Sequence, residues 1–289
     1  MNPLEEAVDK SLKLRPRTKK LYLRSVHQYV GFAGAGVSQW SSASVIDWVV
    51  DLRRRLTPAS ANTMLRGLRG ASRRAFALGL IGRDFAAVVE AVPVVKEKTR
   101  QPVSLAVGHK ILASCVGPSL RNKRDHAIVS LGFYHGLRVE SIVGIQVEDI
   151  NFSKGSVMVT IKGGRRHQVP LDPRSRPVLQ EWLAALRREG VVSGAVFRAI
   201  SAWNKLGDRS ISKTSLYNIV RKRAAKAGVP NFYPHLMRHS FISWAVANGM
   251  PYEQIMLVTG HTNLAMILWY AGDARDAGAE PKKLIPTID

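Results

Sequence analysis

Residues 15–30, RPRTKKLYLRSVHQYV, set Leu21, Val26 and Tyr29 at helical spacing in an otherwise basic segment, which predicts an amphipathic helix. A second helix is expected to be capped at Ser41-Ser42, to bury Val45, Trp48, Val49 and Leu52, and to end in Arg53-Arg54-Arg55. A third starts near Pro58-Ala59-Ser60 and runs through Met64, Leu65, Leu68, Phe76 and Leu78 to Gly79. A fourth, shorter helix is expected over 84–92, and residues 1–14 read as a short leader. Residues 93–104, PVVKEKTRQPVS, combine proline and charge without apolar periodicity, as an interdomain linker does. Beyond them, 107–116 and 122–134 read as helices packing through Ile111, Leu112, Ile128, Leu131 and Phe133. SVMVTI at 156–161 alternates with a period of two, and 166–171 can pair back on it. Lys162, Gly163, Gly164 and Arg165 form the tip, where Gly-Gly suits a two-residue turn. Helices follow at 174–189 and 214–227. The pattern predicts a helical domain over 1–95, a linker over 96–104, and a second domain over 105–289 that is mainly α with a small β-hairpin, an α+β arrangement.

A chain of 289 residues with 46% hydrophobic content can bury a full core, and its length favours two domains. Charge changes the picture: 43 Lys and Arg stand against 21 Asp and Glu, a net +22, with a pI near 10.7. Residues 1–100 carry +10 and the remainder +12, so the excess is not a basic tail. Such a surface fits a two-domain, C-shaped clamp closing on a polyanion, with double-stranded DNA as the partner. Anionic membrane competes for that role, but no long basic amphipathic helix with an aromatic-rich apolar face is present. Arg66, Arg69, Arg73 and Arg74 on the third helix, Arg53 and Arg54 on the second, and Arg165 and Arg166 at the hairpin are the candidate phosphate contacts. Cys115 is the only cysteine, which excludes an intramolecular disulfide and a multi-thiolate metal site. The first ten residues, MNPLEEAVDK, lack an apolar signal region, and no segment reaches membrane-spanning length. The expected setting is cytoplasmic, in association with the nucleoid.

Candidate chemistry concentrates between residues 233 and 270, YPHLMRHSFISWAVANGMPYEQIMLVTGHTNLAMILWY. His235 and Arg238 are three apart and share a helix face. His261 and Tyr270 are nine apart, which in one straight helix is about two and a half turns and sets them on opposite faces. They converge only if His261 lies outside the helix that carries Tyr270, and Gly260-His261-Thr262-Asn263 supplies the break, with Thr262 or Asn263 as its N-cap. Arg138, in Gly136-Leu137-Arg138 at a helix junction, and Lys162, at the hairpin tip, add cationic candidates. Each has an ordinary alternative. Arg138 could cap a helix C-terminus, Lys162 could be solvated with Arg165 or Arg166 in its place, and His239 flanks Arg238 as His235 does. Their joint order and spacing carry the signal.

HGLRVESIVGI resembles the first arginine box of the tyrosine recombinases, also called the phage integrase family. IKGGRRHQVPL resembles that family's lysine hairpin, PHLMRH its His-x-x-Arg box, and TGHTNLAMILWY its Gly-His box with the nucleophilic tyrosine nine residues later. The resemblance covers roughly 100–275, and 12–95 more loosely resemble the family's helical core-binding, SAM-like domain. Two positions depart from the pattern. Ser141 stands where an acidic residue is usual, with Glu140 one residue early, and Thr259 stands where leucine is commoner, which reads as a packing change.

The resemblance implies a tyrosine recombinase catalytic fold and a catalytic set of Arg138, Lys162, His235, Arg238, His261 and Tyr270. The chemistry agrees with it. Attack on a phosphodiester builds charge on the non-bridging oxygens, and two guanidinium groups can clamp them with paired hydrogen bonds. Tyr270 would attack to form a 3′-phosphotyrosyl link, with His235 as general base, His261 hydrogen-bonding the phosphate and Lys162 protonating the departing 5′ oxygen. No carboxylate cluster has metal-ligand spacing, so neither metal nor other cofactor is expected. The resemblance further implies dimers on paired inverted half-sites, a homo-tetramer at synapsis, strand exchange through a Holliday junction, and a tail over 271–289 that docks on a neighbouring protomer. The chain begins almost at the core-binding helices, which suggests a Xer-like or simple integrase without an arm-binding domain. The rivals are a type IB topoisomerase and a non-catalytic DNA-binding protein.

Overall fold

The computed structural model describes residues 2–94 and 101–269, and the chain divides into two compact units, Met1–Glu97 and Lys98–Asp289. The first unit is helical: α1 Pro3–Asp9, α2 Pro16–Ala33, α3 Ser42–Arg55 and α4 Pro58–Ala77. Ser41 caps α3 by accepting from the Ser44 amide, and Thr57 caps α4 by accepting from the Ser60 amide. Its core is aromatic. Tyr29 lies 5.5 Å from Trp48 and 5.6 Å from Phe85 between ring centroids, and Trp40 lies 5.8 Å from Phe85. Two of these rings have their polar ends satisfied, Tyr29 by Ser44 Oγ at 2.7 Å and Trp40 Nε1 by the Gly34 carbonyl at 2.9 Å, whereas the buried Trp48 Nε1 has no hydrogen-bond partner among the described residues. Helices α2 and α4 approach closely because Gly67 has no side chain; a Cβ there would stand 2.2 Å from Ser25 Oγ. A mid-helix glycine costs roughly 0.5–1 kcal/mol, which this close packing offsets.

Several expectations for this unit are corrected. Residues 1–14 are not a leader: Asn2 and Glu5 form a capping box at the start of α1, and Leu4, Ala7 and Val8 are buried in the core. The fourth helix does not form. Residues 85–88 make turns and 89–94 are irregular, because side chains of α3 and α4 take the backbone groups a helix would use. Asn62 bonds both the N–H and the carbonyl of Val92 at 2.8 Å, and Ser42 donates to the Phe85 carbonyl at 2.8 Å. Helix α4 ends at Ala77, and Phe76 and Leu78 are half exposed rather than core.

The second unit is built around α6, Leu120–His135, whose residues 127–133 are buried on every side. Around it stand α5 Leu105–Ala113, α7 Val139–Val143, α8 Ser175–Arg188, α9 Lys213–Lys226, α10 Pro234–Ala247 and α11 Tyr252–Thr259, and residues 264–269 are helical. Asp125 of α6 is held between Arg124 and Arg223, each with an N···O distance of 2.8 Å, which ties α6 to α9. An antiparallel sheet runs in the order β1 Ile150–Asn151, β2 Ser156–Thr160 and β3 Arg166–Pro170, with Val157 opposite Val169 and Thr160 opposite Arg166. The hairpin tip differs from the two-residue turn expected. The Ile161 amide donates to the Arg165 carbonyl, so the loop is Lys162-Gly163-Gly164, both glycines at positive φ. A second hairpin, β4 Arg198–Ile200 with β5 Leu206–Ser210, was not anticipated.

The linker expected over 96–104 is shorter on its C-terminal side. Val103 donates its N–H to Ser240 Oγ and accepts from Trp244 Nε1, and Ser104 caps α5, so this stretch is docked on α10. Residues 95–100 lie outside the described residues.

Candidate active site

Helix α6 stops at Gly136, whose left-handed conformation (φ 57°) closes the helix and turns the chain toward Arg138. A Cβ at Gly136 would stand 2.8 Å from the Phe241 ring, so both the backbone angle and the space select glycine. Arg138 is then the residue preceding α7, at its N-cap. On the other side, Pro234 opens α10, His235 follows in its first turn, and Arg238 is one turn further.

These two helix starts enclose a cavity of about 250 Å³ lined by Leu137, Arg138, Val139, Glu140, Pro234, His235 and Arg238. The N-terminal end of α10 carries partial positive charge, which favours an anion there. Arg138 is half-buried, His235 is exposed, and Arg238 is only 2% exposed. The Arg238 guanidinium is fixed by the backbone: Nη1 donates to the carbonyls of Gly136 at 2.6 Å and Thr259 at 2.8 Å, and Nη2 contacts His261 Nε2 at 2.8 Å. His261 is outside both neighbouring helices, as the spacing argument required. Helix α11 ends at Gly260 (φ 65°), and Asn263 caps the 264–269 helix by accepting from the Ala265 amide at 2.9 Å. Burial first, then the charges of Arg238 and Arg138 and the neighbouring His235, push the His261 imidazole down to about 3, so it is neutral at ordinary pH.

Arg138, His235, Arg238 and His261 are therefore brought to one place. Lys162 is exposed at its hairpin tip and is not among the cavity's lining residues. Three contacts nevertheless tie its hairpin to the site. Ser141 Oγ donates to the Thr160 carbonyl at 2.7 Å, linking α7 to the end of β2. Ile161 packs against Gly260, where a Cβ would meet Ile161 Cγ2 at 2.9 Å, and His167 Nε2 bonds the Leu257 carbonyl. Tyr270 and the 271–289 tail lie outside the described residues. His239 is buried and its ring stacks on Trp269 at 5.8 Å, away from the cavity lining.

The expected phosphate contacts divide. Arg53, Arg54, Arg66, Arg73 and Arg165 are exposed. Arg69 and Arg74 are half-buried against their own domain. Arg69 Nε donates to the Ala86 carbonyl at 3.3 Å, and Arg74 donates to the Gly70 carbonyl and lies 5.3 Å over the Tyr22 ring. Arg166 is ion-paired with Asp149. Ser141, where the family pattern has an acidic residue, and Thr259, which in sequence reads as a packing change, both make hydrogen bonds that organise the site. Among the described residues no group of three or more His, Cys, Asp or Glu side chains is placed to hold a metal ion, and no helix is long and apolar enough to cross a membrane.

The chain is similar to the tyrosine recombinase XerC of Pelobacter propionicus, with 27% identity over 261 residues, covering 87% of this chain and 83% of that one. Its fold is similar to the XerH site-specific recombinase bound to palindromic difH substrate in a post-cleavage complex (TM-score 0.72, 16% identity, 95% of this chain and 81% of that one). It is similar as well to a lambda integrase tetramer bound to a Holliday junction (TM-score 0.71, 16% identity, 98% of this chain and 78% of that one). The profile of the phage integrase family matches residues 109–276, more than half of the sequence, and the chain belongs to that family.

Proposed function

We propose that this protein is a tyrosine site-specific DNA recombinase that cleaves and rejoins strands through a covalent 3′-phosphotyrosyl link to Tyr270. The observation that carries the reading is the fixed Arg238 guanidinium, set against neutral His261 and sharing one cavity with Arg138 and His235. A phosphodiester seated there would meet two guanidinium groups and the positive end of α10, the arrangement that stabilises charge developing on non-bridging oxygens. The Arg238 backbone bonds pre-orient its fork, so little reorganisation accompanies the reaction.

In this reading His235, exposed at the cavity mouth, accepts the Tyr270 proton as the phenol attacks phosphorus. The P–O bond to the 5′ oxygen breaks, and Lys162 gives that oxygen its proton. Attack by a 5′ hydroxyl of a partner strand reverses the steps and releases Tyr270. The exposed arginines Arg53, Arg54, Arg66, Arg73 and Arg165 hold the duplex by its phosphates. The residues 1–95 serve as the core-binding domain and 105–289 as the catalytic domain. Like the lambda integrase tetramer bound to a Holliday junction, the protein acts as a tetramer on such a junction, assembled from dimers on paired inverted half-sites, in the cytoplasm with the nucleoid.

The test is incubation with nicked suicide half-sites drawn from a randomised or flanking genomic pool, followed by a search for a covalent protein–DNA adduct. The expected result is an adduct at a defined sequence, absent with Tyr270→Phe, and recombinant products from paired sites. Relaxation of supercoils at single sites without recombinants would favour a topoisomerase, and an adduct that survives Tyr270→Phe would overturn the assignment.

A further inference from the structure

The last residue of α11 carries a hydroxyl with no part in the chemistry above. Thr259 is 2% exposed, and its Oγ1 lies 2.5 Å from the Ile255 carbonyl oxygen and 2.8 Å from His261 Nδ1. A hydroxyl has one hydrogen, and a carbonyl oxygen can only accept. The Thr259 hydrogen therefore points to Ile255, and Oγ1 meets His261 with a lone pair. Nδ1 must carry a hydrogen to complete that bond. A neutral imidazole has only one N–H, so Nε2 is the accepting nitrogen. Arg238 Nη2 lies 2.8 Å from Nε2 and 3.2 Å from Nδ1, so the shorter distance falls on the nitrogen left to accept.

We propose that Thr259 is a positioning residue that fixes His261 as its Nδ1–H tautomer, so that His261 can donate to a phosphate oxygen from Nε2 only after taking up a proton. The proposal rests on the phosphodiester reading of the cavity. The step balances simply: one proton from solvent adds to the Nε2 lone pair, Nδ1–H stays on Thr259, and no bond to phosphorus is involved. The imidazolium then donates from Nε2 to the phosphate, and Arg238 Nη2 is released to the same anion.

The charged and titratable groups around His261 set the balance. Arg238 and His235 face it from α10 and Arg138 from the start of α7; Glu140 lines the adjoining cavity, and His167 of β3 packs beside Gly260. In the free protein the cationic neighbours and burial hold the ring neutral. A bound phosphodiester opposes those charges and favours the imidazolium. Occupation of the site by DNA is thereby coupled to proton uptake, and Thr259 enforces the coupling by removing the neutral Nε2–H alternative.

The decisive experiment is long-range ¹H–¹⁵N spectroscopy of the uniformly labelled full chain at neutral pH, with the His261 signals identified by their loss in His261→Gln. Wild type and Thr259→Ser are expected to show the Nδ1–H pattern, and Thr259→Val, matched in shape, a shift toward Nε2–H. An Nε2–H pattern in wild type overturns the proposal without any variant, as does a Thr259→Val spectrum identical to wild type. On a cleavable suicide half-site, adduct formation by wild type and Thr259→Ser should fall by up to about tenfold per pH unit on the alkaline side, with a shallower fall in Thr259→Val. Coincident profiles for all three would also overturn it. The tautomer is read without DNA, so an absence of adducts counts against the recombinase reading and leaves this one to its own spectrum.

Discussion

Arg238 Nη1 lies 2.6 Å from the carbonyl oxygen of Gly136, so one guanidinium of the site holds the turn that presents the other, Arg138, two residues later. The same nitrogen bonds the Thr259 carbonyl, and the neighbouring Nη2 contacts His261. A side chain that resembles a free phosphate ligand in sequence is also the joint between α6, α10 and α11. Lysine offers one compact ammonium in place of a planar fork and cannot span two carbonyls and an imidazole. Arg238→Lys should therefore lower stability by about 1–3 kcal/mol in urea unfolding, through acceptors left unmet. It should lower single-turnover adduct formation by roughly 100-fold or more. Full activity in that variant would show that the fork is not needed.

Ser141 stands between the two cationic elements that contact alone does not join. Its bond to the Thr160 carbonyl fixes β2 two residues before Lys162. Ser141→Ala should cost about 1 kcal/mol of stability and slow cleavage by loosening the general acid. A 5′-bridging phosphorothiolate substrate, whose thiolate leaves without protonation, separates the causes. It should restore Lys162→Ala and Ser141→Ala toward the wild-type rate and leave Arg238→Lys impaired. If Ser141→Ala stays slow on that substrate, its role is not in placing Lys162.

The local signals that were legible in the chain are those that depend on near neighbours. Ser41 ahead of Val45, Trp48 and Leu52 marks α3 because the cap and the apolar stripe are both local. The His235–Arg238 spacing and the break at Gly260 were readable for the same reason. The absent helix over 84–92 was not, because Asn62 and Ser42, 30 and 43 residues away, take its backbone groups. The β4–β5 hairpin escaped notice because its strands have no period-two apolar pattern and a register irregularity between Arg198 and Ile200. Asn204, at φ 58° in its turn, is the one signal that could have marked it. In sequence Thr259 reads as packing because its bond to His261 exists only once Gly260 turns the chain left-handed.

Acid should weaken the second unit through His135. Its ring is fully buried and bonds Ser175 Oγ at 2.8 Å; burial, partly opposed by Asp172, depresses it to about 4. The unfolded chain takes up this proton near pH 6.5, and the folded one only near 4. Its stabilisation is thus complete above pH 6.5 and is lost as pH falls through that window. Between pH 8 and 5 the loss from this group is about 2 kcal/mol. Urea unfolding at the two pH values should show it, and His135→Asn should reduce the difference. An unchanged pH dependence in His135→Asn would assign acid sensitivity to other groups.

The arginines of α4 offer a comparison within a single helix. Arg66 and Arg73 are exposed, whereas Arg69 is bonded to the Ala86 carbonyl and Arg74 lies over Tyr22 while bonding Gly70. A phosphate contact releases counterions, so removing one should weaken DNA binding and flatten the slope of log affinity against log salt by about one unit. Arg66→Ala and Arg73→Ala are expected to do so with unfolding midpoints unchanged. Arg69→Ala loses a hydrogen bond to a turn that helps close the domain, and Arg74→Ala loses a cation–π contact of about 0.5–1 kcal/mol. These two should lower the unfolding midpoint and keep the salt slope. Titration of a duplex pool at several salt concentrations, with denaturation of the same four variants, separates the two kinds of arginine. The reverse pattern, with Arg69 and Arg74 carrying the salt slope, would mean that DNA draws them away from the contacts they make in the free protein.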